Sequence, residues 1–401
     1  MSQNEITRIA QQEVQEYIFS NSIDDEKQLI LQRREVLGVS TALIAQQIAV
    51  RRKAKVKLPL LFNTKGIVYP PSVNWEQCSS QATGNFKADI ISKEIGTAPF
   101  KVADLTGGFG MDSFFLSKKA AFIDYIEPDP TLLDIARHNH KLLDSTNIHY
   151  HQTTAEKFLD QCKIEYDLMY LDPSRRDMTS KKVYRLTDCQ PDVASLLPQI
   201  FTFAEFALIK ASPLLDLHRG LTELTSVRNI IVVSVNNECK ELLFLLQKEF
   251  FGEPSIETYN VDKLGVAKQV FAFTFNGERN IISEFGEPQT YLYEPNASIL
   301  KAGAFKSVGE KFGLQKVHIN THFFTSQSFK PKFPGRVFKI EQLEFKAKNF
   351  VEKKANVISR NYPLSAVELK KKLKLSDGGE KYVIGFSGLK KKYVVLATRL
   401  V

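Results

Sequence analysis

The spacing of apolar residues changes twice along the chain and predicts three kinds of segment. Up to about residue 95, apolar positions such as Ile44 and Ile48 recur three or four residues apart, which is typical of amphipathic helices. Between about residues 99 and 276, short apolar runs alternate with helical segments, which predicts a mainly parallel sheet with helices on both faces. Beyond Gly277 the runs are short and interrupted by glycine and proline, which predicts an α+β module.

The middle segment contains seven apolar runs that predict the strands of a doubly wound sheet. These runs are 101–106, 122–127, 148–152, 166–172, 206–211, 229–235 and 269–275. A helix is predicted around 240–250, followed by a long connection to the last strand. The last two strands are expected to supply the antiparallel edge that such sheets often have.

Composition narrows the class of protein. Of 401 residues, 43% are hydrophobic and 25% are charged, which is typical of a globular chain with more than one domain. The polar N-terminal segment lacks the apolar centre of a signal peptide, and no stretch reaches the roughly 18 uncharged apolar residues of a membrane span. The four cysteines form no CxxC pair, so neither a disulfide framework nor a zinc knuckle is expected. These features predict a cytoplasmic protein that does not associate with membranes.

Four of the seven histidines lie close together in the sequence, but their spacing does not favour a metal site. His138 and His140 are two residues apart on a predicted helix and therefore face different sides. His149 and His151 alternate on a predicted strand without an obvious carboxylate partner. No metal is expected.

The net charge of +9 is concentrated at one end of the chain. Residues 330–401 contain 18 lysines and arginines against 6 aspartates and glutamates, a net charge of +12, so the rest of the chain sums to −3. A localised positive field attracts polyanions and is the expected footprint of a nucleic-acid-binding module. A solvated, lysine-rich face that only keeps the protein soluble would give the same pattern.

A glycine-rich turn follows the first predicted strand, in VADLTGGFGMDS (102–113). Glycines allow close approach of a ligand to the backbone, and the following helix N-terminus offers free N–H groups. Ser113 stands where a dinucleotide-binding motif would have its third glycine, which disfavours NAD. Asp104, before the glycines, suits a cofactor with a positively charged amino-acid end. Glu127, about 20 residues after the first glycine, suits the hydroxyls of a ribose.

The fourth predicted strand ends in DLMYLDPSRR, which places Asp172 and Pro173 at the carboxyl edge of the sheet. Open α/β sheets bind their ligands at this edge. An apolar strand that leads into Asp-Pro is also an ordinary turn, so this motif decides little by itself.

Four motifs in this order resemble class I S-adenosylmethionine-dependent methyltransferases: DLTGGFG, IEPDP, TTAEKFL and LDPSRR. The likeness covers roughly residues 100 to 275. Within that class the chain is most similar to a bacterial RNA-methyltransferase-like family with a THUMP-like domain at its C-terminus. The segments that resemble its N-terminal and C-terminal parts are 76–88, 294–305 and 356–379.

The resemblance implies S-adenosylmethionine as cofactor and a set of residues that hold it. This set is Asp104, Thr106, Gly107, Gly108, Phe109, Gly110, Asp112, Glu127, Pro128, Thr154, Ala155, Glu156 and Asp172. Related enzymes often have aspartate where Thr154 stands, so Glu156 is the alternative partner for the adenine amino group.

The resemblance also implies catalytic roles for Asp172, Pro173 and Arg175. Because the sulfonium is already a reactive donor, such an enzyme mainly aligns the nucleophile with the methyl group. Asp172 and the Pro173 carbonyl would accept hydrogen bonds from a substrate amine, and Arg175 would stack on a base or hold a phosphate. Carbon methylation needs a cysteine nucleophile, and Cys189 lies in a linker, so nitrogen or oxygen targets are favoured. Lys210 is either a contact to a substrate phosphate or a stem that covers a helix.

The predicted fold class is therefore α/β, with a Rossmann-like seven-stranded methyltransferase sheet. The predicted domains are a helical N-terminal domain (1–95), the methyltransferase domain (96–276), a small α+β, ferredoxin-like connecting domain (277–329) and a basic THUMP-like RNA-binding domain (330–401). The expected activity is methylation of a base nitrogen in tRNA or rRNA. A protein or small-molecule methyltransferase and a catalytically silent RNA-binding protein are the alternatives. The sequence leaves the oligomeric state open.

Overall fold

A computed structural model describes residues 1–21, 29–31, 34–96, 99–175 and 185–401 of the chain, and the side chain of Arg175 lies outside the described part. The residues form two compact units. The first comprises residues 1–230, 240–252 and 261–267, and the second comprises residues 231–239, 253–260 and 268–401.

The N-terminal part of the first unit is helical, as predicted. Its described helices include Gln3–Ile9, Gln12–Ser20, Thr41–Lys57, Pro59–Asn63, Ser72–Gln77 and Gln81–Ile95, and a short hairpin joins β1 (Glu35–Val36) to β2 (Val39–Ser40). Serine side chains define two of the helix starts, because Ser40 accepts a hydrogen bond from the Leu43 N–H and Ser80 forms a capping box with Thr83.

A large mixed sheet follows the helices. The strands between residues 100 and 273 are β3 (Phe100–Asp104), β4 (Ala120–Ile126), β5 (Ile148–His151), β6 (Tyr166–Leu171), β7 (Ser174–Arg175), β8 (Cys189–Gln190), β9 (Ala204–Ala211), β10 (Val227–Val235), β11 (Glu238–Gln247), β12 (Ser255–Val261) and β13 (Ala267–Phe273). Nine of them form one sheet in the order β13-β12-β10-β11-β9-β6-β3-β4-β5, and β7 pairs with β8 in a separate ladder. The connecting helices include Met111–Ser117, Pro130–Leu142, Ala155–Gln161, Val193–Phe203 and Leu217–Glu223.

The strands that carry the predicted site run in one direction. β9, β6, β3, β4 and β5 are parallel neighbours, and β11 joins β9 in the antiparallel sense. The carboxyl ends of the parallel strands therefore meet at one edge of the sheet, where ligands bind in open α/β folds. Asp104, Glu127 and Asp172 all lie at this edge, and the Rossmann-like α/β fold is confirmed.

Two predictions about this sheet were wrong. The sheet has nine strands rather than seven, and the helix predicted around 240–250 is strand β11. Its run Leu242–Leu246 is buried throughout because β11 lies inside the sheet, and a continuous apolar run does not distinguish a buried strand from a buried helix. A local signal was present in Asn236 and Asn237, which both have positive φ, as the tight turn of a β-hairpin requires.

The second unit contains a sheet of seven strands with helices, which confirms the α+β prediction. Its strands are β14 (Tyr291–Pro295), β15 (Gln315–His318), β16 (Thr321–Ser326), β17 (Gly335–Gln342), β18 (Asn356–Arg360), β19 (Lys381–Ser387) and β20 (Lys392–Arg399), in the order β15-β16-β14-β17-β20-β19-β18. The described helices include Phe275–Asn280, Ala297–Ala302, Ser307–Phe312 and Ala366–Leu373. Residues such as Phe323, Phe338 and Val395 form its core.

None of the helices in the described ranges has both the length and the apolar character needed to cross a bilayer.

Candidate active site

The glycine-rich turn after β3 is shaped by the residues beneath it. A Cβ on Gly107 would lie 2.3 Å from the ring of Tyr125, whose hydroxyl donates to the Gly108 carbonyl at 2.6 Å. Gly108 and Gly110 have φ values of +58° and +82°, in the left-handed region that favours glycine. The backbone of the turn therefore forms part of the cavity wall, with no side chain at these three positions to fill the space above it.

Gly110→Ala is expected to distort this turn, because the added Cβ would lie 2.7 Å from the ring of His140. We expect the affinity for S-adenosylmethionine, the cofactor that the sequence resemblance implies, to fall about tenfold and the free energy of unfolding to fall by more than about 1 kcal/mol. Gly96→Ala is the matched control, because Gly96 has a φ of +70° but open space around its Cβ position. Calorimetry and denaturant titration measure both effects, and equal losses in the two variants would contradict this assignment.

Asp104 ends β3 and is buried below the turn. Its carboxylate accepts hydrogen bonds from the Thr106 N–H at 3.1 Å and from the Ser113 hydroxyl at 2.5 Å. Burial raises the pKa of Asp104 to about 7, although both hydrogen bonds oppose the shift. The site therefore has a carboxyl group that a neighbouring cation would ionise.

Glu127 follows β4 and faces the same turn. One carboxylate oxygen accepts from the Gly108 N–H and the other from the Asp129 N–H, both at 2.8 Å. Burial raises the pKa of Glu127 despite these hydrogen bonds. Each oxygen keeps a lone pair that can accept a further hydrogen bond from a ligand hydroxyl.

Thr154 and Glu156 begin the helix Ala155–Gln161. The Thr154 hydroxyl caps this helix by accepting from the Lys157 N–H at 3.4 Å, and Glu156 is exposed in the first turn. The cap explains why threonine is accepted at this position, because threonine and aspartate are both good helix N-caps.

The Asp-Pro corner after β6 is joined to the glycine turn. The Asp172 N–H donates to the Thr106 hydroxyl at 2.6 Å, and Asp172 Oδ2 lies 2.5 Å from Lys210 Nζ. Burial raises the pKa of Asp172, and the charge of Lys210 opposes that shift. The structure thus gives Lys210 a role that differs from both sequence interpretations, since this buried lysine forms an ion pair with Asp172, whose side chain is 32% exposed.

A second buried lysine links the N-terminal helices to the glycine motif. Lys87 Nζ lies 2.5 Å from Glu241 Oε2, 3.1 Å from Asp112 Oδ1 and 2.9 Å from the Ser79 hydroxyl. Burial alone would raise the pKa of Asp112, but the charges of Lys87 and Lys210 outweigh it and hold this pKa well below its usual value. Asp112 is therefore a buried, ionised group.

One cavity of about 310 Å³ lies at the carboxyl edge of the sheet. All thirteen residues predicted to hold a cofactor line it: Asp104, Thr106, Gly107, Gly108, Phe109, Gly110, Asp112, Glu127, Pro128, Thr154, Ala155, Glu156 and Asp172. Among the described lining residues, five are carboxylates and none is a lysine, arginine or histidine. Pro173 follows Asp172 but does not line the cavity, and the predicted role of Arg175 concerns a side chain outside the described residues.

One wall of the cavity comes from the N-terminal helical part of the chain, and the sequence did not predict it. Asn74, Gln77, Cys78 and Ser79 line the cavity, and so do other residues that were not predicted, among them Tyr170 and Gln190. The only signal was the likeness of 76–88 to the family's N-terminal part.

Cys78 lines the cavity, which the sequence did not predict. Cys189, the cysteine considered from the sequence, lies in the short strand β8. Burial raises the pKa of the Cys78 thiol to about 11. Cys78 is therefore a neutral thiol at physiological pH, without the lowered pKa of a nucleophilic cysteine.

The prediction that His149 and His151 have no obvious carboxylate partner was wrong. His151 Nε2 lies 2.6 Å from Asp124 Oδ1, and His149 Nδ1 lies 3.5 Å from the same oxygen. Asp124 is on β4, so sheet pairing brings together groups more than twenty residues apart. Within the described ranges, no group of three or more His, Cys, Asp or Glu side chains has an arrangement that could hold a metal.

Two family models match the C-terminal part of the chain. Residues 291–334 match a ferredoxin-like domain, and residues 335–399 match a THUMP-like domain. No curated protein matches the chain.

Among solved structures, the chain is similar to a protein from Porphyromonas gingivalis W83 that is provisionally described as a methyltransferase. The two are 31% identical, 100% of each chain is covered and the TM-score is 0.85. A protein from Pyrococcus horikoshii that is provisionally described as an RNA methyltransferase is 13% identical to this chain. The match covers 49% of this chain and 99% of that chain, and the TM-score is only 0.34. The full-length match, together with the THUMP-like domain, shows that the chain belongs to the family of class I methyltransferases that carry a THUMP-like domain at the C-terminus.

Proposed function

We propose that this chain is an S-adenosylmethionine-dependent methyltransferase that methylates a base nitrogen in tRNA or rRNA. The main support is the acidic lining of the cavity, whose described part contains five carboxyl groups and no basic side chain, with Lys87 and Lys210 paired to only two of the five. Such a wall disfavours a phosphate-bearing cofactor and favours a cationic one, because opposite charges attract strongly where water is partly excluded. The methyl donor carries both a sulfonium and an ammonium group.

The chemical groups along the cavity fit the parts of this donor. Asp104 and the backbone of the glycine turn would hold its amino-acid end, Glu127 has free lone pairs for the ribose hydroxyls, and the Thr154–Glu156 segment would lie beside the adenine. When bound, the donor supplies an electrophilic methyl group. The protein's part is then to position the acceptor and to stabilise the charge that develops on it.

Asp172 is the residue we assign to the acceptor. Its Oδ2 pairs with Lys210 Nζ, and Asp172 lines the cavity, so we assign its second carboxylate oxygen to a substrate amine. With Cys78 held as a neutral thiol, the described cavity wall offers no activated cysteine for carbon methylation. Of the nitrogen and oxygen targets that remain, we propose a base nitrogen. The role of Arg175, a contact with the base or with a phosphate, is assigned from the sequence alone.

The basic C-terminal module supports RNA as the substrate. The helix Ala366–Leu373 begins at a Ser365 cap and presents exposed Lys371 and Lys372, and Lys374 follows it. Exposed lysines neutralise phosphates and release counterions, so RNA affinity is expected to fall steeply with salt. Substituting all three with glutamine should weaken RNA binding while leaving donor affinity unchanged.

The proposal is tested in two steps with the full-length protein. Calorimetry measures binding of S-adenosylmethionine, and incorporation of a radiolabelled methyl group is then measured on bulk tRNA and rRNA. Donor binding with RNA methylation supports the proposal. Donor binding with methylation only of protein or small molecules, and RNA affinity that does not change with salt, would favour a different substrate. No donor binding together with salt-dependent RNA binding would indicate a catalytically silent RNA-binding protein.

Donor affinity is also expected to depend on pH through Asp104. With its pKa near 7 in the free protein, the carboxyl is largely protonated below pH 7, and a bound cation favours the ionised form. Affinity should therefore be lost as the pH falls through 7, by about eightfold between pH 7.5 and pH 6, and should level off above 7. Calorimetry at both values measures this change, and Asp104→Asn should remove it. A pH dependence that Asp104→Asn retains would contradict the assignment.

A further inference from the structure

Lys210 lies directly behind the residue that we assign to the acceptor. Its Nζ is 2.5 Å from Asp172 Oδ2 and 3.5 Å from Asp112 Oδ2, and only 9% of its side chain is exposed. Both carboxylates line the cavity, whereas Lys210 does not. Lys210 therefore acts on the cavity only through the groups that it contacts.

The surroundings of Asp172 contain more acidic than basic groups. Among the described residues, the titratable groups that act on Asp172 or on its partner Lys210 include Cys78, Lys87, Asp104, Asp112, Tyr170, Lys210 and Glu241. Lys210 makes the direct contact with Asp172, and Lys87 contacts Asp112 and Glu241 instead. Of the cations in the described part of the chain, Lys210 is thus the one on which the ionised form of Asp172 chiefly depends.

We infer that Lys210 is a positioning residue for methyl transfer, which holds Asp172 as a carboxylate and occupies Oδ2 so that Oδ1 faces the substrate amine. The inference rests on the proposed function. Without the lysine, a partly buried carboxyl group close to other carboxylates binds a proton more readily, and the protonated group presents an O–H in place of an acceptor oxygen. Methyl transfer would then require a higher pH.

The test compares the pH dependence of kcat/KM for the RNA substrate in Lys210→Met with that in the wild-type protein, at saturating S-adenosylmethionine so that the pH dependence of donor binding through Asp104 does not contribute. An opposite charge within hydrogen-bonding distance shifts a carboxyl pKa by roughly 1 to 3 units, so the acidic limb should move upward by more than one pH unit. The variant should lose about tenfold more activity at pH 6 than at pH 8.5. Lys210→Arg should restore most of the wild-type profile.

Lys87→Met is the matched control, because it removes the other buried lysine of the same network without a direct contact to Asp172. Its pH profile should shift far less than that of Lys210→Met. A loss in Lys210→Met that is equal at every pH, or an equal shift in both variants, would overturn the inference.

A second readout does not depend on activity. The side-chain 13C signal of Asp172, assigned by its absence in Asp172→Asn, reports protonation directly. It should titrate at a higher pH in Lys210→Met than in the wild-type protein. If this shift occurs but no RNA is methylated, the proposed function fails while the control of Asp172 by Lys210 stands. If the signal titrates identically in both proteins, the inference fails whatever the activity.

Discussion

Asp172→Ala is expected to lower the rate of methyl transfer by at least about 100-fold, because a group that stabilises developing charge in a site shielded from water contributes effects of this size. Donor affinity should change little, since the turn and Glu127 keep their contacts. Asp172→Asn keeps an acceptor oxygen and should lose less. This order of losses would show that hydrogen-bond acceptance is the feature that catalysis needs.

The matched control for this prediction is Asp167→Ala, on strand β6, which immediately precedes Asp172. Asp167 accepts from the Lys101 N–H at 2.7 Å and does not line the cavity. Its loss should leave the transfer rate within about twofold of wild type, as is typical for substitutions away from a site. Turnover in Asp172→Ala close to that of Asp167→Ala, measured with a radiolabelled methyl group, would remove Asp172 from the mechanism.

Lys87→Met is expected to lower the free energy of unfolding of the first unit by about 3–5 kcal/mol, because it leaves buried carboxylates without their cation. Lys87 and Glu241 are 1% and 7% exposed, and their charged atoms are 2.5 Å apart. The sole tryptophan, Trp75, is buried in the same unit, so its fluorescence during denaturant titration reports the transition.

A second lysine–glutamate pair provides the control at the same distance. Lys53 and Glu76 are also 2.5 Å apart but are 55% and 61% exposed. Because exposed ion pairs contribute little, Lys53→Met should change stability by less than about 1 kcal/mol. Similar losses of unfolding free energy in the two variants would show that burial does not increase the contribution of the Lys87–Glu241 pair to stability. Glu241→Gln in the Lys87→Met background should recover part of the loss, which a double-mutant cycle would quantify.

The position of the site followed from local signals in the sequence. Three short-range patterns were present: a strand that ends in an acid, the glycine-rich turn that follows it, and an acid after the next strand. Parallel pairing brings such strand ends to one edge of the sheet. The full set of thirteen cavity residues came from the resemblance to class I methyltransferases, which rests on these local motifs.

The strand count could not be obtained in the same way. Leu242–Leu246 is apolar at every position, since β11 is covered on both faces, and this removes the alternation that would distinguish a strand from a helix. The paired asparagines before it were the local clue to a hairpin, and their positive φ values became visible only in the structure.

By itself, the sequence determined the α/β class, the glycine bend, the order of the acidic strand ends and the concentration of positive charge beyond residue 330, because each of these depends on residues close together in the chain. Only the tertiary structure decided which distant side chains share the site. Lys87 meets Glu241 across 154 positions, Lys210 meets Asp172 across 38, and the segment that contains Cys78 becomes a wall of the cavity. Contacts of this kind leave no periodic trace, because they arise when whole elements pack and each partner alone is an ordinary charged or polar residue.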